Sequence, residues 1–295
     1  MHPVLLTLHF GSTEVVLGSY TTFYVLAWAV ALALGTVIAW RAGLPWKRAL
    51  VLYLVALVIG IVGARLLDVV TNWGAYADDP SLAHSLGLRG FSLYGGLILA
   101  IAAGALLARP LRLPLWRLAD SAVPAMAAAL VLMRTGCYLR GCCFGKVTSL
   151  PWGVTFPNGS PAWSYQVASG QSGVLGLTGL VRPVQPTQIY ELLAALVLCA
   201  VALGLVPRRR QAGALSRGDL GEAAGAPRRR RAAAGLPFLV FILGFTLFRV
   251  VEYYLRPRSL TATEPGWFYP VLYAVIIAGV AAVLAWRMAS ARRDA

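Results

Sequence analysis

The chain has 295 residues, of which 59% are hydrophobic and 13% charged, and its mean hydropathy is +0.71. That composition excludes a soluble globular domain. The net charge of +15 invites a nucleic-acid reading, but the arginines lack the aromatic context such a site needs, and no nucleic-acid partner is expected.

Uncharged runs long enough to cross a bilayer recur along the chain. They predict seven helices, at about 19–40, 49–72, 91–108, 118–140, 187–206, 233–254 and 267–287. The expected fold is an all-α polytopic membrane protein, with residues 1–295 forming one membrane domain. The first run follows a polar start containing Glu14 and has no small-residue cleavage site in the right place, so it reads as a retained span. Arg65 lies in the second helix. Tyr94-Gly95-Gly96 opens the third, where glycines allow close backbone approach and leave helix N-terminal amides to an anion, or serve helix packing alone. Asp120 stands at the start of the fourth and reads as a structural cap or a partner of Arg117. The same helix carries Arg134 and leads into Cys137, Arg140, Cys142, Cys143 and Gly145. Turn-rich sequence then marks an outside loop at about 141–185. Gln188 and Glu191 open the fifth helix. The Ala/Gly/Arg-rich stretch at about 207–232 reads as a disordered cytoplasmic linker. In the sixth helix Arg249 and Arg256 share a face, and Glu252 can pair with both.

Charge sets the expected orientation. Seventeen of the 26 basic residues fall near 41–48, 109–117, 208–231 and 287–293. These are alternate loops plus the C-terminus, the positive-inside pattern of an N-out, C-in protein. Arg65, Arg134 and Arg249 then each lie about 25 Å along an outward-running helix, at 1.5 Å per residue. Tyr20, Tyr94, Gln188 and Glu191 lie near the outer starts of inward-running ones. Six of the seven helices thus bring a polar group to one level. Intramembrane arginines at one depth need carboxylates or an anionic ligand to balance them. A guanidinium held by Glu252 suits a phosphate, and an apolar-walled outer-leaflet site suits a phospholipid headgroup.

Cys137, Cys142 and Cys143 fall at the outer face, where disulfides can form. A disulfide from Cys137 to Cys142 or Cys143 is the leading reading, ahead of a catalytic or acyl-carrying thiol. No metal is expected, because three thiolates lack an obvious fourth ligand. Cys199, deep in the fifth helix, reads as a core residue.

Several ordered motifs resemble the prolipoprotein diacylglyceryl transferase family. They are His2-Pro-Val-Leu5, Tyr20-Thr-Thr-Phe-Tyr24, Gly63-Ala-Arg65, Phe91-Ser-Leu-Tyr-Gly-Gly-Leu-Ile98, Asp120 with Arg134-Thr-Gly-Cys-Tyr-Leu-Arg-Gly-Cys-Cys-Phe-Gly145, Pro186-Thr-Gln-Ile-Tyr-Glu191, and the Arg249, Glu252, Arg256 set. The resemblance implies a seven-helix enzyme of the bacterial inner membrane with its site facing the outer leaflet. It implies transfer of diacylglyceryl from phosphatidylglycerol to a lipobox cysteine thiol of an exported lipoprotein precursor, without a cofactor. By that resemblance Arg134 meets the headgroup, and Arg249, oriented by Glu252, meets the charge that develops on the departing phosphate. Tyr94 also belongs to the catalytic set. Tyr20, Arg65, Gly95, Gly96, Cys137, Gly145, Gln188, Glu191 and Arg256 form the substrate pocket. The alternative is a diverged relative that acts on another lipid or acceptor, or binds lipid without catalysis. The chain departs from the family pattern at Tyr94 and Gln185, where the family has histidines, and at Cys137, Arg140 and Cys142, where it has Asn, Asn and Glu. No histidine base is therefore expected in the pocket, and a phenol is a poor base at neutral pH.

Overall fold

The computed structural model describes residues 4–10, 13–79, 81, 92–171, 181–205, 234–258, 260 and 264–293. The basic stretch expected to be a linker lies outside the described residues.

Seven long apolar helices carry the fold: α1 (Ser19–Arg41), α2 (Trp46–Thr71), α4 (Leu93–Ala108), α5 (Leu115–Arg140), α7 (Thr187–Gly204), α8 (Leu236–Leu255) and α9 (Phe268–Arg293). Each follows an expected run to within a few residues. Six are long and apolar enough to cross a membrane. The exception is α4, which has 16 residues and spans about 24 Å. Among the described residues there are also two short helices, α3 (Trp73–Asp78) and α6 (Pro161–Ala168).

Two local features depart from the sequence reading. The first is an antiparallel hairpin of β1 (Val4–Phe10) and β2 (Thr13–Gly18), with Thr7 opposite Val16 and Phe10 opposite Thr13. Runs of Val, Leu and Thr favour extended backbone there. The second is α6, inside the loop expected to hold turns and short irregular pieces. Ser160 accepts the Trp163 amide at 3.2 Å and Pro161 begins the helix, which is favourable N-terminal chemistry.

The helices alternate in direction, so their ends form two clusters. At one end Ala39, Leu44, Ala49, Ala108, Leu113 and Leu118 pack together, and Arg117 donates to the Ala42 carbonyl at 2.6 Å. Asp120 does cap, but it caps another helix: its carboxylate accepts the Gly235 amide at 2.8 Å and the Phe238 amide at 3.2 Å at the start of α8. Two of the donors that a helix N-terminus leaves unpaired are met in this way.

At the other end the loop 141–185 folds over the bundle. Val184 bridges Val147 and Val154, and Phe144, Phe156, Ala162 and Val184 form its own small core. The Lys146 amide donates to the Leu255 carbonyl at 2.7 Å, which pins the loop to the end of α8. α5 packs along α1, and α2 pairs with α4. Gly63 faces Gly95 and Gly60 faces Gly96 so closely that a Cβ added at Gly95 would run into the Gly63 carbonyl. The space left by Gly95 and Gly96 is thus filled by α2.

Candidate active site

Three helices meet in a buried ion network beneath that loop. Glu191 on α7 is its centre. It stands 2.6 Å from Arg134 of α5 and 3.1 Å from both Arg249 and Arg256 of α8. Glu252 completes it, at 2.5 Å from Arg249 and 2.5 Å from Arg256. The last two contacts follow from helix geometry, since residues three and four apart share a face. Glu191 and Glu252 are fully buried, and Arg134 is 6% exposed.

Three guanidinium groups against two carboxylates leave one formal positive charge. Burying charge away from water is costly unless partners surround it. Here the partners are incomplete. The Nε groups of Arg134, Arg249 and Arg256 and the Tyr94 hydroxyl are buried donors without hydrogen-bond partners among the described residues, and the Gln188 Oε1 is a buried acceptor without one. A network that is one negative charge short and rich in unused donors fits an anion with several acceptor oxygens.

Tyr94 is 1% exposed. It lies beside Thr246, Arg249 and Glu191, and its ring meets Tyr273 of α9 at 5.0 Å. Tyr273 and Thr246 were not legible as site neighbours, because each is an ordinary residue of an apolar helix until α9 packs on α8. Tyr20 lies elsewhere in the site: Arg140 covers its ring at 4.9 Å, and the three cysteines are its neighbours. Tyr24, one turn further along α1, is near Arg134. Arg65 is placed over the ring of Tyr76 at 5.8 Å, and Tyr76 donates to Asp68 at 2.5 Å.

The cysteine turn is held by α7. α5 ends at Gly141, φ +75, where the Cys142 amide returns to the Cys137 carbonyl at 3.1 Å. This is a left-handed helix cap, and a Cβ on Gly141 would press on Phe156 at 2.8 Å. Cys143 follows at φ +61, a conformation that costs a residue other than glycine about 1–3 kcal/mol. Gln188 Nε2 donates to the Cys142 carbonyl and Thr187 Oγ1 to the Cys143 carbonyl, each at 2.7 Å. The Gly145 amide donates to the Gln185 carbonyl at 2.8 Å, and side chains of Gln185 and Thr187 leave no room for a Cβ there. Gln188 and Gly145 therefore shape this turn.

All four cysteines are free, so the expected disulfide is not formed. The sulfurs of Cys137, Cys142 and Cys143 lie within 4.8 Å of one another. Arg134 Nη1 donates to the Cys137 sulfur at 3.7 Å. The Cys143 thiol is held well below the usual thiol range, because the Cys137 and Cys142 thiols hydrogen-bond to it, with Arg134 and Arg256 adding to the effect. The same hydrogen bonds push Cys142 upward, and burial adds to that shift. Cys199 packs against the α5–α8 core, as a core residue does.

The chain is similar to proteins already known. The family model described as prolipoprotein diacylglyceryl transferase matches residues 5–288. A phosphatidylglycerol–prolipoprotein diacylglyceryl transferase of Clostridium tetani is 35% identical over 105 residues, 36% of this chain and 42% of that protein. The enzyme so named from Clostridioides difficile is 31% identical over 136 residues, 45% of this chain and 55% of its own. That from Synechococcus elongatus is 30% identical over 205 residues, 69% of this chain and 61% of its own. The matched stretches thus span about half the length of these relatives.

Proposed function

The chain belongs to the prolipoprotein diacylglyceryl transferase family, and from that premise we propose that it transfers a diacylglyceryl group from phosphatidylglycerol to the thiol of a lipobox cysteine. The observation that carries the reading is the buried network of Arg134, Arg249 and Arg256 on Glu191 and Glu252, which is one negative charge short. A lipid phosphodiester carries that one charge.

The chemistry follows from the charge. The acceptor thiolate attacks the glyceryl carbon next to the phosphate ester oxygen, and the carbon–oxygen bond breaks. Negative charge then grows on the departing glycerol phosphate. Arg249, fixed between Glu191 and Glu252, and Arg134, fixed on Glu191, are oriented before that charge appears. Groups oriented in advance in a poor dielectric stabilise it most strongly. Tyr94 offers its unpartnered hydroxyl to the lipid beside Arg249. Gln188 and Gly145 act through the turn they hold, while Tyr20 and Cys137 line the acceptor side.

The protein would act in the bacterial inner membrane with N-terminus out and C-terminus in. The basic residues at 41–48 and 109–117 support that orientation, since they fall at the end opposite the network. The site would then face the outer leaflet, where an exported precursor arrives.

The test combines purified protein, phosphatidylglycerol and a lipobox peptide, with mass spectrometry for the diacylglyceryl thioether. Thioether on the peptide cysteine is the expected product. Its absence with every anionic phospholipid, beside an active control enzyme, would exclude the reading. Lipid consumed without peptide product would favour another acceptor instead.

A further inference from the structure

We propose that Cys137, Cys142 and Cys143 form a three-thiolate site for a zinc-class ion, and that the open fourth position of this ion receives the sulfur of the acceptor. The metal site rests on geometry alone. Its role toward the acceptor rests on the transferase reading above.

Distance comes first. Sulfurs bound to one zinc at about 2.3 Å stand about 4 Å from each other. The three here lie within 4.8 Å, so the cluster needs only a small contraction to close on an ion. A disulfide would need one pair at about 2 Å.

The turn is also built to hold this arrangement. Cys137 is fixed on the last turn of α5. Gly141 reverses the chain at φ +75, and Cys143 keeps a left-handed backbone at φ +61. Thr187 and Gln188 grip the two carbonyls that follow the reversal. The sulfurs therefore converge because the backbone sends them to one point.

Donor chemistry selects the kind of ion. Arg134 donates to the Cys137 sulfur, a contact that favours the thiolate form. Sulfur ligands select a soft or borderline ion, and zinc accepts a four-coordinate arrangement with one place open to a substrate.

That open place answers a chemical need. The acceptor must lose a proton to become nucleophilic, and His9, on strand β1, is the only described histidine. A thiol that coordinates zinc is deprotonated outright. Its proton passes to solvent, and the metal-bound sulfur attacks the glyceryl carbon. The carbon–oxygen bond breaks with both electrons moving to the phosphate oxygen, which takes up a proton from solvent. The thioether product carries no charge on sulfur and leaves the ion. Nothing is oxidised or reduced.

The experiment uses the full chain, purified and reduced, with Zn²⁺ for stoichiometry and Co²⁺ as a spectroscopic probe. One ion per chain is expected. Affinity should fall at least tenfold in Cys142→Ser and Cys143→Ser and stay unchanged in Cys199→Ser. Because a serine variant can fail to fold, protection of the three thiols from alkylation by Cd²⁺ is measured in the unaltered protein as well. A cysteine lipobox peptide, but not its serine counterpart, should change the Co²⁺ absorption. Transfer should stop on removal of the metal and return with Zn²⁺. Thiols that alkylate at the same rate with and without Cd²⁺, or a disulfide between any two of the three in protein taken from membranes, would overturn the site. Full transfer by metal-free protein would overturn it and leave the transferase reading intact. Metal uptake with a peptide-dependent spectrum but no diacylglyceryl product would uphold the site and remove only the transferase reading.

Discussion

Arg134 and Glu191 come from different helices and meet at 2.6 Å, both almost wholly shielded from solvent. Glu191 also faces Arg249 and Arg256, so one carboxylate binds α5 to α8 through α7. The pair is at once a structural joint and the edge of an anion site, and these two roles separate on substitution.

Glu191→Gln removes the charge that three guanidinium groups share. Stability should fall by about 3–5 kcal/mol, the usual result when a buried ion network loses one partner. Thermal unfolding in detergent measures it. Adding Arg134→Met to the same protein should restore part of the loss, since it removes one of the two cations then in excess. A double variant no more stable than Glu191→Gln alone would argue against the pairing.

Arg249→Ala should reduce turnover about 100-fold or more, the scale of losing a donor that meets developing charge. Arg249→Lys should recover only part of this, because an ammonium lacks the planar fork. Turnover with phosphatidylglycerol and a lipobox peptide decides the matter. An Arg249→Ala enzyme of unaltered rate would remove Arg249 from the reaction.

Tyr94→Phe deletes one hydroxyl that has no partner among the described residues. The protein should lose little stability, since Thr246 is at most a weak partner of that hydroxyl. If the hydroxyl meets the lipid, kcat/KM should fall about tenfold, the size of one hydrogen bond. An unchanged kcat/KM would reduce Tyr94 to packing against Tyr273.

Gly95→Ala places a methyl group against the Gly63 carbonyl of α2. Overpacking of this kind should cost about 1–3 kcal/mol and push α4 away from α2. The measurement is again thermal unfolding, with Gly104→Ala as the control, since only the end of the Leu52 side chain lies within 4 Å there. Equal stability of the two variants would show that the contact relaxes freely.

Asp120→Ala removes a cap at the end remote from the network. Loss of an N-terminal cap costs about 0.5–2 kcal/mol, and turnover well below the melting temperature should be unaltered. A large loss of turnover without loss of stability would give Asp120 a part in the chemistry.

The spans and their order were legible because the bilayer imposes a local rule: a run of apolar residues must be long enough to cross it. The depth of Arg134, Arg249 and Glu191 followed from that rule and from the rise of a helix. The Arg249, Glu252, Arg256 face was legible too, because helical spacing alone sets it. Depth carries no information about rotation around a helix axis. Arg65 shares the level of Arg134 in sequence, yet the packing of α2 turns it toward Tyr76, and Asp120 reaches across to α8. Glu191 became the centre only when α7 packed between α5 and α8. The cysteines show the same division. Their place at the outer face suggested a disulfide, but the Gly141 reversal and the grip of Thr187 and Gln188 direct three sulfurs to one point. Hydropathy and helical rise act along the chain, whereas side-chain convergence depends on how separate helices rotate and dock, and only the tertiary structure decides that.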